Sequence, residues 1–185
     1  MDFKTCTERE LWEYVAVSLS KKGIKTVLVG GAVAAIYSEG AYRSGDLDMI
    51  IESYNMAKSK VKDSMEAIGF TKSGRYWIHP ECTHLYVEFV NPPIAIGDDY
   101  SVKPVEWKKG GELIKILSAE DCVRDRLTSY VYFKARECLD QAYLVAKKNK
   151  IDLIKMNKWA KSEGTEMVNA IKELKEKLEA NHRCS

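Results

Sequence analysis

The chain has no apolar run approaching the roughly 18–20 residues that a membrane-spanning helix needs. Its opening stretch, Met1 to Glu10, is charged rather than apolar, so no secretory signal is expected and the cytoplasm is the expected compartment. Its five cysteines, Cys6, Cys82, Cys122, Cys138 and Cys184, include no CxxC pair, and their number is odd. Reduced thiols are therefore expected in place of a disulfide framework. No GxxxxGK[ST] phosphate loop, no serine-nucleophile elbow and no cysteine–histidine hydrolase signature occurs, which sets aside P-loop NTPases and the common hydrolases. Charge of one sign is also scarce. Lys and Arg number 29 against 27 Asp and Glu, a net +2, too little for a whole-molecule field that would draw nucleic acid. Repeats and low-complexity segments are absent.

What remains is an ordinary globular composition, 45% hydrophobic and 30% charged, over 185 residues. That length suits one α/β unit followed by a helical appendage. Thr7-Glu8-Arg9-Glu10 reads as a capping box opening a helix, with Leu11, Trp12, Val15, Ala16 and Leu19 on its apolar face. Ile24 to Val29 is a β-branched run ending at Gly30-Gly31, and a short helical turn follows from Ala32 to Tyr37. Leu47 to Glu52 reads as a second strand, Asn55 to Ile68 as a helix, and short strands are expected around Phe70 and Tyr76 to Ile78. His84 to Val90 alternates, with Leu85, Val87 and Phe89 on one side and His84, Tyr86 and Glu88 on the other. Asn91 to Gly111 reads as a long connection with one short strand near Val105, and Glu112 to Leu117 as strand. Ser118 then caps a helix that breaks near Ala135, Asp152 caps another, and Thr165 begins the last. The expected fold class is α/β (α+β): a mixed sheet with flanking helices over residues 1–117, then a helical region over 118–185.

The chemistry concentrates in Val27-Leu-Val-Gly30-Gly31, fourteen residues, then Asp46-Leu47-Asp48. Two carboxylates two apart at the head of a strand share a face, with Leu47 and Met49 turned to the core. Such a pair raises its own pKa unless a cation neutralises it, and magnesium suits carboxylate and phosphate oxygens. Glycine between strand and helix lets a backbone approach phosphate closely. Arg43 and Ser44 lie near the acidic strand and either contact the triphosphate or belong to a turn. Glu88 becomes a third carboxylate if its strand neighbours that of Asp46 and Asp48.

Strand, Gly-Gly, helix, then a strand opening with D-x-D and a later acidic strand residue: in this order the residues resemble the DNA polymerase beta-type nucleotidyltransferase superfamily. Leu28-Val29-Gly30-Gly31, Asp46-Leu47-Asp48 and Glu88 carry the match. Within it the chain looks like small bacterial and archaeal nucleotidyltransferase-like proteins, some relatives of which belong to toxin–antitoxin pairs. Leu117 to Leu127, Leu139 to Ala142 and Trp159 are similar to their helical region. The resemblance implies a nucleoside triphosphate substrate and magnesium, or manganese, held by Asp46, Asp48 and Glu88. It also implies transfer of a nucleoside monophosphate to a hydroxyl on RNA, protein or a small molecule, with pyrophosphate leaving. A nucleotide-binding module without catalysis, or a toxin–antitoxin partner, is the alternative.

Several other features have two readings. Arg126 and Lys134 either reach the triphosphate from the helical half or pair with Asp125, Asp121 or Asp140. Tyr130, Tyr132, Phe133 and Trp159 are expected in the core, with base stacking as the alternative. Between Lys147 and Lys161 six lysines face the single Asp152, which reads as a solvated helix face or as an RNA or polyphosphate contact. Asp98-Asp99 reads as a solvated loop pair. His79, Cys82 and His84 form an H-x2-C-x-H pattern that lacks a fourth ligand and matches no common zinc module, so His84 is expected either to share the polar strand face with Tyr86 and Glu88 and touch substrate there, or to be a satisfied surface histidine.

Overall fold

The computed structural model describes residues 1–52 and 54–182, so Cys184 lies outside the described residues. The elements in chain order are α1 (Glu8–Ser20), β1 (Thr26–Val29), α2 (Gly31–Tyr37), β2 (Asp46–Ile51), α3 (Tyr54–Glu66), β3 (Thr71–Ser73), β4 (Tyr76–His79), β5 (Cys82–Val90), β6 (Val105–Lys109), β7 (Glu112–Ile116), α4 (Ala119–Tyr132), α5 (Glu137–Lys148), α6 (Leu153–Glu163) and α7 (Thr165–His182). The seven strands form one mixed sheet in the order β3-β4-β5-β2-β1-β7-β6. β2 runs antiparallel to β1 and parallel to β5, while β1 and β7 are parallel. A strand sequence of β1, then β2, then a return to β5 beside β2 places the acidic strands at the centre of the sheet, where neighbours hold them on both sides.

Local chemistry explains the boundaries. Thr7 N–H donates to Glu10 Oε2 at 2.8 Å and Glu10 N–H donates to Thr7 Oγ1 at 3.3 Å, the reciprocal cap that starts α1. Leu11, Trp12, Val15, Ala16 and Leu19 are then buried, packing α1 against β1, β7, α2 and α3. Ser118 caps α4 by accepting from Asp121 N–H, and Asp152 caps α6 by accepting from Ile154 and Lys155 N–H. The break expected near Ala135 separates α4 from α5, and residue 117 falls between β7 and α4. α4 packs on α5, α7 and the short α2, which brings the helical half over one end of the sheet. No described helix is long and apolar enough to cross a membrane.

The short strand expected around Phe70 forms as β3, one residue after it, with Phe70 itself fully buried. Other expectations need correction. Tyr132 and Phe133 are exposed where α4 ends, and Tyr132 Oη donates to the Glu163 carbonyl at 3.2 Å. Asp99 is not merely solvated: its Oδ2 pairs with Arg124 at 2.5 Å and ties the loop after β5 to α4. Lys148 pairs with Glu39 and so joins the two halves of the chain, while Lys155 pairs with Glu120 and ties α6 to α4. Cys6, Cys82, Cys122 and Cys138 are buried free thiols.

Candidate active site

On β2 the two-residue strand period turns Asp46 and Asp48 to one face and buries Leu47 and Met49 on the other. The parallel register with β5 sets Asp48 opposite Glu88 and Asp46 opposite Tyr86. The third carboxylate is thereby brought to the pair: oxygens of Asp46, Asp48 and Glu88 all lie within 4.8 Å of one another. Across the other edge of β2, Val29 at the end of β1 lies opposite Asp48, so the glycine turn that follows is delivered to the same spot.

Gly30 is the position where that turn requires glycine. Its φ is +72°, and a Cβ there would stand 2.5 Å from Asp48 Oδ2. A Cβ on Gly31 would meet Ser44 Oγ at 3.0 Å. The carboxylates open onto a cavity of about 420 Å³, whose wall includes Gly30, Arg75, Asp125, Arg126 and the apolar Ile94. That volume is in the range of small-ligand clefts.

Electrostatically the site is short of positive charge. Burial first, and then Asp46 and Glu88, push the Asp48 carboxyl up to about 6, with Arg126 opposing. Arg75 Nε lies 3.2 Å from Glu88 Oε2. The Arg126 guanidinium is mostly buried; burial works against its charge, and Asp125 at 2.5 Å outweighs that and raises its pKa. Gln141 accepts a further bond from Arg126 at 3.2 Å. Three hard oxygen donors around one point fit a divalent cation of the magnesium type.

A crystal structure of an antigenic nucleotidyltransferase-like protein from Paracoccidioides brasiliensis matches this architecture with a TM-score of 0.60, over 92% of this chain and 88% of its own, at 16% sequence identity. The chain has the nucleotidyltransferase fold. ANT(2")-Ia, solved in complex with adenylyl-2"-tobramycin, matches at a TM-score of 0.50 and 11% identity, over 94% of this chain and 97% of its own. The sequence matches no protein-family model, and no curated protein matches it closely enough to count as a relative.

On this nucleotidyltransferase fold the residues expected from sequence divide into two groups. Asp46, Asp48, Glu88, Gly30 and Arg126 share the cavity. Arg43 and Ser44 stand behind it, both held by the buried Glu8: Arg43 Nε and Ser44 N–H donate to the same Oε1 at 2.9 and 2.8 Å. Ser44 Oγ in turn donates to the Asp46 carbonyl at 3.0 Å, so it supports Asp46 from outside the cavity wall. Gly31 faces Ser44. Lys134 is not brought to the carboxylates; it pairs with Glu166 at 3.2 Å and lines a separate cleft with Tyr130 and Arg136.

Three residues of the site's surroundings are not among those expected there from the sequence. Arg75 sits just after the Ser73-Gly74 turn and reaches Glu88 because β4 and β5 pair antiparallel. Glu8 looked like part of a helix cap, and Asp125 like an ion-pair partner for Arg126, which it is. Arg75 and Glu8 reach the surroundings of the carboxylate cluster only through tertiary contacts.

Proposed function

We propose that this chain is a magnesium-dependent nucleotidyltransferase that moves a nucleoside monophosphate from a nucleoside triphosphate to a hydroxyl acceptor, releasing pyrophosphate. The observation that carries the reading is the meeting of Asp46, Asp48 and Glu88 within 4.8 Å on a cavity wall beside Gly30. Asp46 and Asp48 would hold the cation, magnesium or manganese. When bound, the ion offsets the charge of the triphosphate and favours in-line displacement at phosphorus.

The chain's own groups do the rest. Ser44 fixes the Asp46 backbone, and the bare Cα of Gly30 leaves the room that phosphate oxygens need next to Asp48. Glu88 accepts the proton of the attacking hydroxyl. The new oxygen–phosphorus bond forms at the α-phosphorus as the bond to the bridging oxygen of the β-phosphate breaks, and pyrophosphate departs. Arg126, clamped by Asp125 and Gln141, lends fixed positive charge to the developing negative charge.

The test is incubation with labelled ATP, GTP, CTP and UTP, magnesium, and three acceptor classes: RNA, the protein itself, and small polyhydroxylated molecules of the kind seen in the tobramycin adduct of ANT(2")-Ia. Wild type is expected to label one class, and the Asp46→Asn/Asp48→Asn variant none; equal labelling by both overturns the proposal. A second reading, a nucleotide-binding module without transfer, draws on the Arg75–Glu88 ion pair, which occupies the third carboxylate. Calorimetric binding of magnesium triphosphate without labelling of any acceptor supports that second reading.

A further inference from the structure

A second cluster of ligating side chains lies at the opposite end of β5 from Glu88. The segment ahead of α1 crosses the start of β5, and Cys6 Sγ comes 3.8 Å from Cys82 Sγ. His84 Nδ1 lies 4.0 Å from Cys82 Sγ, and the three ligand atoms are all within 4.8 Å of one another. Both thiols are buried while His84 is partly exposed. The other imidazole nitrogen, Nε2, is 2.8 Å from the Cys6 carbonyl oxygen. A carbonyl only accepts, so Nε2 carries the proton and the Nδ1 lone pair is left facing the thiols.

We propose that Cys6, Cys82 and His84 form a zinc site. With zinc–sulfur bonds of about 2.3 Å and tetrahedral angles, two ligating sulfurs stand about 3.8 Å apart, and sulfur and nitrogen about 3.6 Å apart. The sulfur pair already has that spacing, and His84 Nδ1 stands a few tenths of an ångström beyond it from Cys82 Sγ and within 4.8 Å of the other ligand atoms. A ligating histidine whose second N–H is donated to a backbone carbonyl is the usual outer-sphere arrangement of zinc sites, and His84 has it before any ion is bound. Loading releases the two thiol protons to solvent and leaves the fourth position to water; nothing is oxidised.

The H-x2-C-x-H pattern in the sequence has the wrong third member. His79 stacks on Phe3 at 3.6 Å and its Nδ1 accepts from Glu81 N–H, so it faces away from the thiols, and Cys6 from 76 residues upstream takes its place. The competing states are weakly hydrogen-bonded thiols, Cys6 to the Phe3 carbonyl at 3.5 Å and Cys82 to the Leu85 carbonyl at 3.7 Å, and a disulfide, which would leave the His84 tautomer without purpose. Zinc would pin the N-terminal segment to the strand that carries Glu88, away from the carboxylate cavity.

The experiment uses the full-length chain, reduced, stripped with a chelator, and titrated with cobalt(II) and then zinc(II) chloride. One equivalent of cobalt is expected to give a thiolate-to-cobalt charge-transfer band that zinc abolishes. Loss of an outer-sphere partner alone costs about 10–100-fold in affinity, so His84→Ala and Cys6→Ser are each expected to weaken binding at least about tenfold. Asp46→Asn/Asp48→Asn keeps the band, which separates this site from the carboxylate one. Should the cysteine variants fail to fold, the surface change His84→Ala still decides: zinc raises the melting temperature of wild type and not of this variant. Absence of the band, its persistence in Cys6→Ser/Cys82→Ser, or isolation of a Cys6–Cys82 disulfide that takes up no metal after reduction overturns the proposal.

Discussion

Gly30 and Asp48 are packed so closely that the smallest side chain cannot be inserted between them: a Cβ on Gly30 would lie 2.5 Å from Asp48 Oδ2. The contact arises because β1 and β2 pair with Val29 opposite Asp48, and the chain turns at the next residue with φ +72°. Gly30→Ala therefore strains the turn and displaces the carboxylate together. A misplacement of about 1 Å in a reacting centre can cost about 100-fold in rate. Nucleotidyl transfer by Gly30→Ala is expected to drop by that order while the circular dichroism spectrum stays that of wild type.

Asp48→Asn is expected to abolish magnesium binding and to cut transfer on the order of 100-fold or more, the scale on which one preorganised electrostatic contact counts. The same change relieves a buried carboxylate of its neighbours Asp46 and Glu88. Without metal the variant is therefore expected to melt a few degrees higher than wild type, roughly 1 kcal/mol being worth about 2–4 °C in a chain of this size. Calorimetry with and without magnesium checks both halves.

The pH dependence follows from the same group. Burial and then Asp46 and Glu88 raise the Asp48 carboxyl to about 6, so between its ordinary value and that point the folded chain holds a proton that the unfolded chain has released. Stability in chelator is thus expected to be full at low pH on this account and to fall as pH rises through about 6. Magnesium competes with that proton, so its affinity is expected to rise from about pH 5 to about pH 7, and its stabilising effect with it. Melting curves across that range, with chelator and with magnesium, test the sign.

Glu8 supports the acidic strand from behind, taking bonds from Arg43 Nε and Ser44 N–H with one oxygen. Glu8→Ala leaves the buried Ser44 N–H without an acceptor, a loss of about 1–3 kcal/mol. Denaturant unfolding is expected to show that loss, and transfer activity to fall as Ser44 releases Asp46. Glu8→Gln, which keeps an acceptor, is expected to restore most of the stability.

Arg126→Met tests the cationic wall. It leaves Asp125 facing the cavity without its 2.5 Å partner, and breaking this partly buried pair costs up to about 3–5 kcal/mol, the scale for a fully buried one. The double change Arg126→Met/Asp125→Leu is expected to recover stability but not transfer, as measured by melting temperature and by label incorporated from the triphosphate.

Much of this was legible from residue order because the relevant physics is short-range. The Thr7–Glu10 cap, the shared face of Asp46 and Asp48, and the alternation that turns Glu88 to a polar face each depend on a helical or strand period spanning a few residues. Strand order is different. That β5 returns beside β2, setting Glu88 opposite Asp48, is a choice among sheet topologies made by how the whole apolar core packs, and no local pattern encodes it. Arg75 on Glu88, Glu8 under Ser44, and Cys6 in place of His79 are contacts of the same kind, between residues made neighbours only when the sheet closes. The sequence by itself determined which side chains have the chemistry and which way each faces along its own element, since backbone periodicity is intrinsic to the chain. Only the tertiary structure decided which of them meet, because proximity between distant residues is a property of the packed core as a whole.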